Sequence, residues 1–141
     1  MLKSLLYVSR SRMTLAESSS QVEDIVRLAQ VANQALGVTG ALISTEADFA
    51  QLIEGSEAAV DKLMAKILVD PRHEDVRVVK ISEIQERRFD GWWMAYSGPS
   101  IFVNRHIKPL LTGHINESDR GPRAERLIKL MQEFTSRPVT S

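Results

Sequence analysis

Short apolar runs with two-residue alternation, interrupted twice by helical periodicity, constrain this chain more than any other feature of its sequence. Leu2 to Val8 is apolar and bounded by Ser9-Arg10-Ser11-Arg12, which predicts a first strand. Ser20-x-x-Glu23 fits a capping box, in which hydroxyl and carboxylate satisfy the free amides of a helix start. Val22, Ile25, Val26, Ala29 and Leu36 follow at helical spacing, and Gly37 stops the run. Val38 to Ser44 and Phe49 to Glu54 predict two strands around the polar turn Thr45-Glu46-Ala47-Asp48. Gly55-Ser56-Glu57 opens a second helix with Val60, Leu63, Met64 and Ile67 on its inner stripe. Asp70-Pro71 ends that helix, because proline disfavours the helical region in the residue before it. Val76 to Ile81 predicts a fourth strand and Trp92 to Ser97 a short fifth.

The order βαββαβ plus one more strand implies an α+β fold: a ferredoxin-like βαββαββ sheet with two helices on one face. Beyond Gly98-Pro99 the pattern changes. Ile101 to Leu111 suits a helix, and Thr112 to Pro122 has the composition of a hinge. Leu127, Leu130, Met131 and Phe134 mark an amphipathic helix. The expected division is a domain of residues 1–98 and a C-terminal helical extension, residues 99–141, acting as cap, dimerisation or output element. The stretch from about Arg123 to Phe134 is expected either to cover the open sheet face or to present a docking surface.

Composition narrows the function. The chain has 141 residues, 43% of them hydrophobic, enough for one domain with a modest core. Eighteen Lys and Arg balance eighteen Asp and Glu, so non-specific nucleic-acid binding, which needs many phosphates neutralised, is not expected. The absence of cysteine excludes disulfides, thiolate metal sites, iron–sulfur clusters and cysteine nucleophiles. No run approaches the ~20 apolar residues of a membrane span. A cytoplasmic protein with no membrane contact is the expectation.

Three polar residues stand where the pattern asks for apolar ones. Asn33 lies four residues after Ala29 and eleven after Val22, on the apolar stripe of the first helix. Gln51 shares a strand face with Phe49 and Ile53, and Tyr7 lies beside Leu5 on one face of the first strand. A buried amide without a partner costs roughly 1–3 kcal/mol, so each needs a partner. They satisfy one another or nearby backbone, or they grip a flat, uncharged ligand with an imide-like edge, held between Ile25 and Ile67. Other signals are weaker. His73-Glu74-Asp75 offers one histidine where a metal needs several convergent ligands. His106 and His114 suit the surface, and Ser18-Ser19-Ser20 suits a helix entry. Arg87-Arg88 suits a solvated strand end better than a phosphate site.

At these residues the sequence resembles a BLUF domain, the flavin-binding blue-light sensor module, of the short stand-alone type. The matching stretches are Tyr7-Val8-Ser9-Arg10, Asn33-Gln34-Ala35-Leu36-Gly37-Val38-Thr39-Gly40 and Phe49-Ala50-Gln51-Leu52-Ile53-Glu54-Gly55. Asp70-Pro71-Arg72-His73 and Arg87-Arg88-Phe89-Asp90-Gly91-Trp92-Trp93-Met94 complete the set, in family order over about residues 1–97. The resemblance implies a blue-light photoreceptor in which Tyr7 is the electron and proton donor to a non-covalently bound flavin. Gln51 is implied to change its hydrogen bonding after illumination, and Asn33 to hold the pyrimidine edge of the ring. Ile25 and Ile67 would flank the ring, with Phe49 also in contact, and Asp70, Arg72 and His73 would lie near the ribityl and phosphate portion. Trp92 and Met94 match a switching strand, either of which could approach Gln51. FAD is implied, although FMN or riboflavin would fill the same ring pocket. The expected partners are a separate, unidentified signalling protein and a second copy of the chain; no catalytic output domain is expected. Two rivals stand beside this reading: a ferredoxin-like acylphosphatase-type hydrolase using Arg10, and a cofactor-free interaction module of the same fold.

Overall fold

Alternation along the first strand decides the layering. The computed structural model describes residues 2–11, 27–44, 48–71, 73–89, 95–97, 107, 109–111 and 117–134. In β1 (Leu2–Ser11), Leu5 and Tyr7 belong to one buried cluster while Leu6 and Val8 belong to another, as two-residue alternation requires. The remaining elements are α1 (residues 27–36), β2 (Thr39–Ser44), β3 (Asp48–Ser56) and α2 (Glu57–Leu68). They are followed by β4 (His73–Ile84), β5 (Ala95–Ser97), the helical residues 107 and 109–111 (α3) and α4 (Glu117–Phe134). The sheet runs β4-β1-β3-β2-β5, antiparallel except for the β2–β5 edge. This is the expected α+β ferredoxin-like arrangement, with longer strands than the periodicity predicts at β1, β3 and β4.

One face is covered by α1 and α2. Ala59, Val60, Leu63 and Met64 of α2 pack with Leu5, Tyr7, Val38 and Ile53, with Leu36 and Ile67 at the margin. Ser56 caps α2, its Oγ accepting from the Ala59 amide at 3.2 Å, and Glu57 and Lys66 complement the helix dipole at its two ends. The other face is covered by α3 and α4, where Ile107, Leu110, Leu111, Ala124, Leu127, Ile128 and Met131 pack on Leu6, Val8, Ile43 and Leu52. Among the described residues no helix is long and apolar enough to cross a membrane.

The C-terminal helix begins earlier than its composition suggests. Residues 117–122, expected within a hinge, are helical, with Pro122 inside the helix. Proline there forfeits one intrahelical bond, and Gly121 before it has no Cβ to meet the ring. Continuity with the packed stripe from Ala124 to Met131 outweighs that loss. The proposed capping box at Ser20 and Glu23 lies outside the described residues.

Two glycines hold the site's scaffold. Gly37 adopts φ +72° and ends α1 in a Schellman arrangement, its amide bonding Gln34 O at 3.2 Å and the Val38 amide bonding Asn33 O at 2.8 Å. Gly40 lets β2 approach β3, since a Cβ there would sit 2.0 Å from the Leu52 carbonyl oxygen. Backbone cannot yield as a flexible side chain can. Gly40→Ala should therefore destabilise the fold by about 3 kcal/mol or more in denaturant unfolding. A loss below about 1 kcal/mol would contradict this packing.

Candidate functional site

Register brings the first two polar residues together. Tyr7 in β1 and Gln51 in β3 are direct cross-strand partners, so both side chains project from the same face, towards α2. The Tyr7 hydroxyl donates to Gln51 Oε1 in a buried bond. On the other side of β1, register shifts between Leu6 and Tyr7 and between Val8 and Arg10 mark two bulges that bracket Tyr7. In both the extra residue lies in β4, and Asp75 in the second adopts φ 53°. Bulges of this kind re-aim side chains at the point where they occur.

Asn33 is the third. It is 1% exposed, in the last turn of α1, while Leu28 and Val31 on the same helix are exposed. The helix thus turns an amide inward and two aliphatics outward, the reverse of a simple amphipathic helix. Its backbone is fixed by the Schellman arrangement at Gly37. Phe49 is buried at the start of β3, and Ile67 is half-buried beside the α2 cluster. Asp70, just beyond α2, is half-buried and acts electrostatically on Tyr7. Ile25, Arg72, Trp92 and Met94 lie outside the described residues, as does the His73 side chain, although His73 opens β4 opposite Ser11.

The electrostatics of Tyr7 follow from its position. Burial first, and the negative charge of Asp70 second, push its ionisation well above the ordinary tyrosine range. The phenol therefore stays protonated and remains a donor.

A second polar cluster centres on Glu54. Glu54, 0% exposed, lies on the opposite face of β3 from Gln51. Its carboxylate accepts from the Arg88 amide at 2.7 Å, the Phe89 amide at 3.0 Å and Thr39 Oγ1 at 3.2 Å. Arg87 completes the clamp, donating to Thr39 Oγ1 at 2.9 Å, Glu54 O at 3.0 Å and Gly37 O at 2.8 Å. The expected solvated strand end at Arg87 is therefore incorrect: three acceptors turned inward by β2, β3 and the α1 terminus hold the guanidinium, half-buried, against the sheet. Arg88 is exposed but engages Glu125 of α4. The alternation that singled out Gln51 also flags Glu54, which follows Ala50 and Leu52 on an apolar face.

In the ultraviolet titration of the folded protein, Tyr7→Phe should leave the phenolate signal near pH 10 unchanged, because Tyr7 keeps its proton there. Unfolded chain releases that proton near pH ~10, so stability contributed by neutral Tyr7 is present below that pH and falls above it. Loss of an ordinary phenolate signal in Tyr7→Phe would contradict the burial.

Comparison with known proteins agrees with the arrangement. Residues 2–95 match the model of the BLUF family, described as sensors of blue-light using FAD. The chain is 33% identical over 111 residues to the photoactivated adenylate cyclase subunit beta of Euglena gracilis, covering 78% of this chain and 13% of that protein. It is 34% identical over 89 residues to the blue light- and temperature-regulated antirepressor BluF of Escherichia coli (strain K12), covering 63% of this chain and 22% of that protein. It thus spans only a small part of the curated relatives it matches. Among solved structures, the dark state of BlrB, a BLUF protein, superposes with TM-score 0.70 at 30% identity, covering 92% of this chain and 96% of that one. The BlsA ground state shares the fold with TM-score 0.76 at 23% identity, covering 100% and 92%. Family model, relatives and fold converge on one conclusion: the chain belongs to the BLUF family of blue-light sensors.

Proposed function

We propose that this chain is a blue-light photoreceptor that binds a flavin non-covalently on the face between the sheet and α1–α2, and passes its signal to a separate protein. The observation that carries this reading is the buried, neutral Tyr7–Gln51 hydrogen bond. The donor set suits the cofactor. A flat heterocycle with alternating donors and acceptors is matched by neutral phenol and carboxamide groups, and Tyr7, Gln51 and Asn33 are all buried. Asn33 would hold the ring's polar edge, with Phe49 and Ile67 as apolar wall and Asp70 towards the outer portion. Ile25, Arg72 and His73 join this set by resemblance alone, as do Trp92 and Met94 in the relay. FAD is the family's flavin, and FMN or riboflavin presents the same ring.

The bound flavin supplies absorption of blue light and an electron-accepting excited state. The chain's own residues do the rest. Tyr7 holds a proton at Oη because burial disfavours its phenolate. That proton points at Gln51 Oε1, which directs the carboxamide NH2 elsewhere. With the flavin bound, Tyr7 would be the electron and proton donor to it, and loss of the Oη–H would remove the donor that holds Oε1 in place. Gln51 then exchanges donor for acceptor by rotation or tautomerisation, at almost no change of volume. Output passes through β5 and the C-terminal helices to a partner, with a homo-oligomer as the expected assembly.

Purified protein tests this. It should be yellow, with a blue absorption band that moves slightly red on illumination and recovers in the dark. Tyr7→Phe and Gln51→Leu should each retain flavin yet lose the reversible shift. A colourless protein that takes up no added flavin would instead support a cofactor-free module, and an intact shift in either variant would refute the assigned roles.

A further inference from the structure

The Glu54 cluster has a second half on α4. Arg88 donates through Nη1 and Nη2 to the Glu125 carboxylate, at 3.1 and 3.0 Å, and Lys80 of β4 donates to the same group. These bonds, Arg88 first, hold the Glu125 carboxyl down to about 2, so that carboxyl stays ionised at neutral pH. Phe89, the next residue, is buried in the same cluster as Ala124, Leu127, Ile128 and Met131 of α4. The Arg87–Phe89 segment is thus bound on both sides. The Arg88 and Phe89 amides are held by β3 through Glu54, and the side chains of these two residues engage α4.

We propose that Arg88 couples the Tyr7–Gln51 site to α4, by fastening its backbone to the strand that carries Gln51 and its side chain to Glu125. This rests on the photoreceptor reading above. Gln51 and Glu54 lie three residues apart on one strand, on opposite faces of the sheet. A rearrangement at Gln51 that alters β3 is therefore felt at the Arg88 and Phe89 amides, which have Glu54 as their acceptor. The fork of Arg88 on Glu125 is engaged in this structure, and transmission requires that it also be released when β3 shifts. A bidentate guanidinium–carboxylate pair is directional, so a small displacement of the Arg88 backbone breaks it where a looser ammonium contact would follow. Lys80 stays on β4 and retains Glu125 nearby, so release loosens α4 without unfolding it.

Hydrogen–deuterium exchange on the flavin-loaded full chain, in darkness and under blue light, tests the proposal on peptides spanning residues 124–131. Illumination of the wild-type protein should raise exchange in α4. Arg88→Ala and Glu125→Gln should each raise it already in darkness, by about fivefold, and largely abolish the light-induced difference. The double variant should add little to either single one, because both remove one contact. Lys129→Ala, on the exposed side of α4, serves as control and should behave as wild type. The absorption shift should persist in every variant, since Arg88 and Glu125 lie on the face opposite Tyr7. Wild-type α4 exchange that is equal in light and dark, or a light difference that survives Arg88→Ala, would overturn the coupling. Absence of any absorption shift in the wild-type protein would overturn the photoreceptor reading itself.

Discussion

The hydrogen bond from the Tyr7 phenol to the Gln51 carboxamide is the constraint on which the candidate site depends. Two neutral groups inside a packed layer gain little net free energy from bonding, about 1 kcal/mol, but either one left alone costs more. Burial therefore holds the two groups together, since loss of either partner would leave the other unsatisfied. Cross-strand pairing of β1 with β3 sets the distance, and the bulges in β4 set the local twist. Neutrality matters as much as proximity. A carboxylate in place of Gln51 would remove its capacity to exchange donor for acceptor.

The strand β3 carries polar chemistry on both faces. Gln51 faces α2, whereas Glu54 faces the α4 side and organises the segment that follows β4. Charge is segregated accordingly. Neutral Tyr7, Gln51 and Asn33 occupy the layer expected to meet a flavin, with Asp70 at its margin, while Glu54, Arg87, Arg88, Lys80 and Glu125 occupy the opposite face and its margin. Helices cover both faces of the sheet, and Gln51 and Glu54 place the two clusters on opposite faces of a single strand.

Much of this was legible in sequence because it rests on period-two and period-3.6 patterns. Tyr7, Asn33 and Gln51 each broke such a pattern, and all three proved buried. Glu54 breaks the same pattern on the other face of β3, following Ala50 and Leu52. Arg87 reads as solvated in the sequence because its acceptors are backbone carbonyls and a threonine, which leave no charge signature. Helical residues 117–122 were also hidden: Gly121 and Pro122 signal a break locally, and only the packing of Ala124 to Met131 explains their helical state. The bulges around Tyr7 have no sequence signal beyond β4's length.

Tyr7 and Gln51 form one buried donor–acceptor unit. Proton NMR of the Tyr7 hydroxyl in the flavin-loaded chain tests it most directly. A slowly exchanging, downfield hydroxyl resonance, absent in Tyr7→Phe and displaced in Gln51→Leu, is the expected result. A hydroxyl proton that exchanges freely with water, or one indifferent to Gln51, would contradict the account.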